Sequence, residues 1–209
     1  MARALPRKFY NRDTATVARE LLGKRLVRKT EQGTMQGRIV ETEAYLAEAD
    51  SSSHSARGKT RRNASMFGPP GHAYVYTIHG RFCFNTVTEG LGQGSAVLIR
   101  AIEPTQGVEQ MQTRRGSCIE RDLTRGPARL CEALGLNLEW DGWDLSKGEE
   151  LWIADGRLLP PGKWACSPRI GISRAVGLQL RFFLVGNRLV SGPMKFNRPQ
   201  AQNTATKKQ

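Results

Sequence analysis

Residues 24–45 read KRLVRKT-EQG-TMQGRIVETEAY, two β-prone runs joined at Glu31-Gln32-Gly33. A polar turn with glycine between two such runs predicts a hairpin. In its second strand, the two-residue period of β structure puts Ile39, Glu41, Glu43 and Tyr45 on one face. Upstream, Asp13-Thr14 opens a short amphipathic helix that carries Val17, Ala18, Leu21 and Leu22 and ends at Gly23. Downstream, strands are expected over Ala73–Ile78, Phe82–Thr88 and Ser95–Ile102, with Gly90, Gly92 and Gly94 turning the last pair. Helices are expected over Pro104–Arg115 and over Pro127–Leu134, the second closed by Gly135. Short strands follow at Leu151–Ala154, Arg169–Ser173 and Leu178–Val185. Residues 47–71 are polar and aperiodic, a length of loop that is usually functional or disordered. No repeat or composition shift divides the chain. The expectation is one α+β domain over residues 1–209, a curved, mainly antiparallel sheet with flanking helices and a protruding β-hairpin, with residues 1–12 and 194–209 as flexible tails.

Composition narrows the partners. The 209 residues carry 32 Lys+Arg against 19 Asp+Glu, a formal net charge of +13. Of the cations, 23 are Arg and 9 Lys, and guanidinium forks match phosphate oxygens in two-point fashion. Such a charge speaks of partners rather than of fold, and it favours nucleic acid or an anionic surface. No apolar run approaches the length of a membrane span, and the basic N-terminus lacks the apolar stretch of a secretory signal. Cys83, Cys118, Cys131 and Cys166 are scattered without metal-ligand spacing, so neither a zinc site nor a disulfide framework is expected. A cytoplasmic protein of bacterial type fits these features.

The chemistry concentrates between residues 38 and 103. Arg100 stands inside the apolar run Ser95–Ile102, where an unpaired charge costs several kcal/mol, so a carboxylate partner such as Glu41 or Glu103 is implied. Glu41 and Glu43 lie two apart among Ile39, Val40, Ala44 and Tyr45. One can pair with an arginine while the other serves as a general base. Tyr45, Tyr76 and His54 are the residue types a base-stacking pocket needs, although tyrosines on a strand are more often core or rim. Arg57, Lys59, Arg61 and Arg62 fall within six residues and suit phosphate contacts, or simply a solvated face.

The string Ile39-Val40-Glu41-Thr42-Glu43-Ala44-Tyr45, then His54-Ser55, Met66-Phe67, Gly71, Tyr74-Val75-Tyr76, Asn85 and Leu98-Ile99-Arg100-Ala101-Ile102-Glu103-Pro104, resembles the alkyladenine (3-methyladenine) DNA glycosylase family. Gly126–Cys131 and Ser167–Ile172 resemble its later segments, so the likeness runs from about Ala15 to Val185. It implies a monofunctional glycosylase of base excision repair that works as a monomer on double-stranded DNA containing damaged purines, with no cofactor or metal. By the same resemblance, Glu43 activates water and Arg100 holds that water and neutralises Glu43. Tyr45 stacks on one face of an extruded base, with His54 and Tyr76 on the other. Asn85 disfavours guanine, Leu98 forms the pocket floor, and the hairpin tip supplies a wedge. At that tip the family usually has Tyr, whereas this chain has His79, and its segment Gly80–Asn85 is about one residue shorter.

Two other classes fit parts of the pattern. A glycoside hydrolase acting on sugar polymers would use Glu41 and Glu43, whose Cα atoms lie roughly 7 Å apart on a strand, but the net charge does not favour it. A non-catalytic basic nucleic-acid-binding module accounts for the charge but not for Arg100 within an apolar strand.

Overall fold

The computed structural model describes residues 3–47, 50–116, 119–156, 159–160, 162–193 and 197. The hairpin forms as read, with β1 (Arg25–Thr30) antiparallel to β2 (Gly33–Tyr45) and Thr30 opposite Gly33. The sheet continues with β3 (Ala73–Ile78), β4 (Arg81–Thr88), β5 (Ser95–Gln106), β6 (Leu151–Ala154), β7 (Trp164–Ser167) and β8 (Arg181–Leu184). Its order is β3-β4-β5-β2-β1-β6, with β8 also on β2 and β7 on β8, and the strand pairs are antiparallel. The long β2 sits at the centre. One edge runs along β5, and the other is shared between β1 at Gly33–Arg38 and β8 at Glu41–Glu43. The fold is an α+β domain on a curved antiparallel sheet.

Strand alternation divides this sheet into two faces. Val40 and Ala44 of β2, Ala73 and Val75 of β3, Phe84 of β4, and Val97, Ile99 and Ala101 of β5 join the main hydrophobic core. That face is covered by α2 (Thr14–Glu20), which packs on β2 and β5, and by α4 (Pro127–Leu134), which packs on β4 and β5. Asp13 caps α2 by accepting a 2.7 Å hydrogen bond from the Thr16 N–H. Burying a side chain such as Phe84 or Ile99 stabilises the fold by about 1.5–3 kcal/mol each. The alternate residues, including Tyr74, Val87 and Ala96, form a second cluster with Met66, and Tyr45 and Tyr76 pack against it. A 3-10 helix over Arg61–Phe67 covers that second face.

Several expectations are corrected. The helix expected over Pro104–Arg115 begins only at Val108, because β5 runs on to Gln106 opposite Gln36–Arg38 of β2. Pro104 is tolerated there because it faces Gly37 beside a register irregularity, where strand prolines are usually found. The helix α3 (Val108–Arg115) waits for Gly107, whose φ of 70° and approach to the Thr34 carbonyl exclude a side chain. Arg169–Ser173 is not a strand. The strand lies at Trp164–Ser167 and Pro168 follows it, while the Leu178–Val185 strand shortens to Arg181–Leu184. Within the stretch expected to be aperiodic, residues 50–71 contain two 3-10 helices, His54–Arg57 and Arg61–Phe67. Residues 3–12 are no flexible tail, since Leu5 and Tyr10 are buried and α1 (Arg7–Tyr10) docks through Arg7 on Asp144. The tail expected at 194–209 lies outside the described residues except for Asn197. Cys83 and Cys131 are buried free thiols and Cys166 is a half-buried one, while Cys118 lies outside the described residues.

Candidate active site

Two register irregularities build the site. Between Ile39 and Thr42 of β2, one extra residue stands first on β2 and then on β5, so Arg100 has no direct cross-strand partner. Bulges of this kind re-aim side chains. Here Arg100 shares a face with Glu41 and Glu43, donating from Nε to Glu41 at 3.1 Å and from Nη1 to Glu43 at 3.2 Å. Both carboxylates are fully buried and Arg100 is 8% exposed. The partner that its sequence context demands is therefore a pair of glutamates, and Glu103 instead pairs with Arg38.

The two glutamates are held differently. Glu41 also accepts from Arg181 Nε at 2.6 Å and from the Ser191 N–H at 2.7 Å. Burial raises its pKa, but Arg100, Arg181 and the Ser191 N–H outweigh that and hold it below the usual carboxylate range. Glu43 accepts from the Tyr45 hydroxyl at 2.9 Å and the Ile170 N–H at 2.8 Å, besides Arg100. These bonds occupy three of about four lone-pair positions on its carboxylate. Burial and the Glu43 charge push the Tyr45 hydroxyl well above its ordinary value, so it remains a donor.

A single cross-strand row carries much of the site, with Tyr74 opposite Asn85, Asn85 opposite Leu98, Leu98 opposite Glu43 and Glu43 opposite Arg181. Beside it, Tyr45, His54, Met66, Tyr74, Tyr76 and Asn85 line a cavity of about 20 Å³. The His54 and Tyr76 rings meet edge-on with centroids 4.5 Å apart, and His54 Nδ1 lies 2.8 Å from the Tyr74 hydroxyl. Loss of solvent around the imidazole and the nearby Arg62 charge lower the His54 pKa. Asn85 is buried and donates to the Tyr74 carbonyl at 2.9 Å. Leu98 is buried between Glu43 and Asn85 but does not itself line the cavity.

The cavity opens into a cleft of about 550 Å³ that shares Tyr45, His54 and Tyr76 with it and adds Arg57, Ile78 and residues 171–174. Arg57, Lys59, Arg61 and Arg62 are exposed, and of the four Arg57 lines the cleft. Arg62 spends part of its guanidinium on the Thr77 carbonyl at 2.7 Å. The structure thus brings together Glu43, Arg100, Tyr45, His54, Tyr76 and Asn85, and leaves the basic cluster and the hairpin tip outside the cavity. At that tip His79 (φ 48°) and Gly80 (φ 72°) form a two-residue turn with both φ positive, next to Ile78, which is 49% exposed.

Sequence reasoning missed three side chains. Arg181 is fully buried and bonds Glu41, the Ser167 hydroxyl and the Ser191 carbonyl. Arg169 and Asp50 form a buried ion pair against Tyr45. Arg181 gave the same signal as Arg100, a charge among Leu180, Phe182 and Phe183, whereas the Arg169–Asp50 pair gave none. Among the described residues, no group of three or more His, Cys, Asp or Glu is placed to hold a metal ion, and no helix is long and apolar enough to cross a membrane.

The chain is similar to known proteins over most of its length. A family model described as methylpurine-DNA glycosylase matches residues 8–188. A protein of Rhodopirellula baltica named "Putative 3-methyladenine DNA glycosylase" is 46% identical over 93% of this chain and 86% of its own length. Relatives of the same name from Carboxydothermus hydrogenoformans and Methanoculleus marisnigri are 46% and 48% identical, each over 90% of this chain and 98% of their own.

Proposed function

The chain belongs to the methylpurine-DNA glycosylase family, and on that premise we propose that it extrudes a damaged purine from duplex DNA and hydrolyses its N-glycosidic bond with a water activated by Glu43. A base inside the duplex shields that bond, so the nucleotide must leave the stack at a cost of a few kcal/mol. A lesion that pairs or stacks poorly lowers the cost, which is one source of selectivity. His79, with exposed Ile78 beside it, fills the gap left behind, while Arg57, Lys59, Arg61 and Arg62 hold phosphates without reading sequence. The protein works as a monomer.

The extruded base stacks on Tyr45, with His54 and Tyr76 against its other face. An alkylated purine is cationic, and aromatic faces attract it more than its neutral parent. A 20 Å³ cavity holds about one water, so a purine enters by displacing one wall. The Tyr45 wall is tied to Glu43 and Arg169, whereas His54 stands exposed on a single-turn helix, so the opening falls on the His54 side. Asn85, with its amide nitrogen committed to the Tyr74 carbonyl, is a fixed obstacle that excludes the exocyclic amino group of guanine by shape.

The bond breaks with oxocarbenium-like character at the sugar, and the base departs with the bonding electrons. The fourth lone-pair position of Glu43 takes a proton from the attacking water, whose hydroxyl oxygen bonds to the sugar carbon and leaves an abasic site. Arg100 neutralises Glu43 and helps to hold that water. An amine nucleophile has little to offer here, since Lys59 is the only lysine between Lys29 and Lys147 and stands exposed in the basic loop.

The observation that carries this reading is Glu43, fully buried and bonded to the Tyr45 wall of an aromatic cavity, with three fixed donors on its carboxylate. The test is a duplex with a single hypoxanthine or alkylated adenine, followed by alkali. Wild type yields breaks at the lesion, while Glu43→Gln yields none and still binds the duplex. Breaks without alkali, or unchanged activity in Glu43→Gln, would overturn it.

A further inference from the structure

The buried pair Arg169–Asp50 lies behind the stacking wall, and no bond-making or bond-breaking step of the proposed mechanism uses it. Arg169 binds Asp50 in two-point fashion, Nη1 at 2.6 Å and Nη2 at 2.7 Å, and Nη1 also donates to the Ala44 carbonyl at 2.9 Å. Its Nε–H finds no hydrogen-bond acceptor among the described residues. Instead the guanidinium sits over the Tyr45 ring, 4.6 Å from the centroid. Both charged side chains are fully buried, and neither lines the cavity or the cleft, so the ring face that Arg169 covers is the one turned away from the pocket. Asp50 in turn accepts from the Leu46 and Ser52 N–H groups.

We propose that the Arg169–Asp50 pair is a specificity-determining element that sets how strongly Tyr45 favours a cationic over a neutral purine. A cation on one face of an aromatic ring draws π-electron density toward itself and makes the opposite face less negative. The pocket face of Tyr45 is therefore a weaker cation acceptor than a free tyrosine. Asp50 returns most of that loss by neutralising Arg169. The balance lets one wall serve both charged alkylpurines and uncharged deaminated ones. Arg169 touches no substrate and acts through Tyr45, as a positioning and tuning residue. The inference rests on the proposed stacking of the base on Tyr45.

The test compares release of 3-methyladenine from its cationic nucleotide in methylated duplex DNA with release of hypoxanthine from the neutral nucleotide of a deoxyinosine duplex, under single turnover. Arg169→Met/Asp50→Asn removes the cation without stranding a buried charge, and the ratio of the two rates should rise about threefold or more. Asp50→Asn alone leaves the cation unneutralised, and the ratio should fall. If the double variant does not fold, the single variant decides by its sign. Unchanged ratios with uniformly lower rates, or movement of both variants in the same direction, would overturn the inference while leaving the function standing. A wild type that releases neither base would overturn the proposed function and this inference with it.

Discussion

The two faces of one sheet do opposite things with the same strands. Toward α2 and α4, alternate residues deliver Val40, Ala44, Phe84, Val97, Ile99 and Ala101 to an apolar core. On the opposite face, their immediate neighbours deliver Glu41, Glu43, Tyr45, Asn85, Leu98 and Arg100. Both faces are buried, so burial does not distinguish them. What differs is how they tolerate loss. The core face relaxes into a cavity when trimmed, whereas the site face holds charges that are satisfied only as a set.

Removing one member of that set should give the largest effect. Arg100→Met leaves Glu41 to Arg181 and strips Glu43 of its ion pair, and denaturant unfolding should show a loss of about 3–5 kcal/mol. Excision by the remaining folded protein should also fall, by about a hundredfold or more. If Arg100→Met costs stability but leaves the rate per folded molecule intact, the contrast between the faces collapses. On the other face, Ile99→Ala should cost about 2–5 kcal/mol, one residue away in sequence, with the rate per folded molecule unchanged.

Acid should separate the faces next. Glu41 and Asp50 are held below the usual carboxylate range, because their arginine partners and N–H donors outweigh burial. A carboxyl with a lower pKa folded than unfolded contributes stability in full above its unfolded value and loses it as pH falls through the folded one. Thermal unfolding followed from pH 7 downward should therefore fall steeply below about pH 5, and Asp50→Asn should blunt that fall. His54, with its pKa lowered, adds an earlier and smaller loss through the imidazole range, absent in His54→Gln. An Ile99→Ala variant should keep the wild-type shape of the whole profile.

The smallest effects belong to the rim. Arg61→Ala should leave stability within about 0.5 kcal/mol and lower the salt slope of duplex binding by about one. A loss of excision at low salt would instead place Arg61 inside the machinery.

Much of this division was legible in the sequence because it rests on local rules. Alternation located Ala73–Ile78 and Pro-to-Gly signals located α4, while a lone arginine in an apolar strand announced a carboxylate partner. Glu41 and Glu43 could not be ranked, because what separates them arrives from far along the chain. Arg181 and Ser191 reach Glu41, and Ile170 reaches Glu43, across more than 120 residues. The Arg169–Asp50 pair was hidden for the same reason, with neither residue standing in an apolar context of its own. The extension of β5 past Pro104 was missed because proline there depends on a bulge opposite Gly37, a tertiary arrangement that local propensity does not encode.

One consequence follows from the way the interior charges are matched. Glu41, Glu43 and Asp50 face Arg100, Arg169 and Arg181, and the six cancel. The whole surplus of +13 is therefore carried by the remainder of the chain, and from beyond a Debye length the matched cluster contributes no net charge. DNA approaching this protein meets a cationic surface whose surplus of +13 changes by one charge at most when a single member of that set is lost. Capture and sliding should accordingly be indifferent to chemistry, and an inactive variant should patrol undamaged DNA as long and as far as the working enzyme.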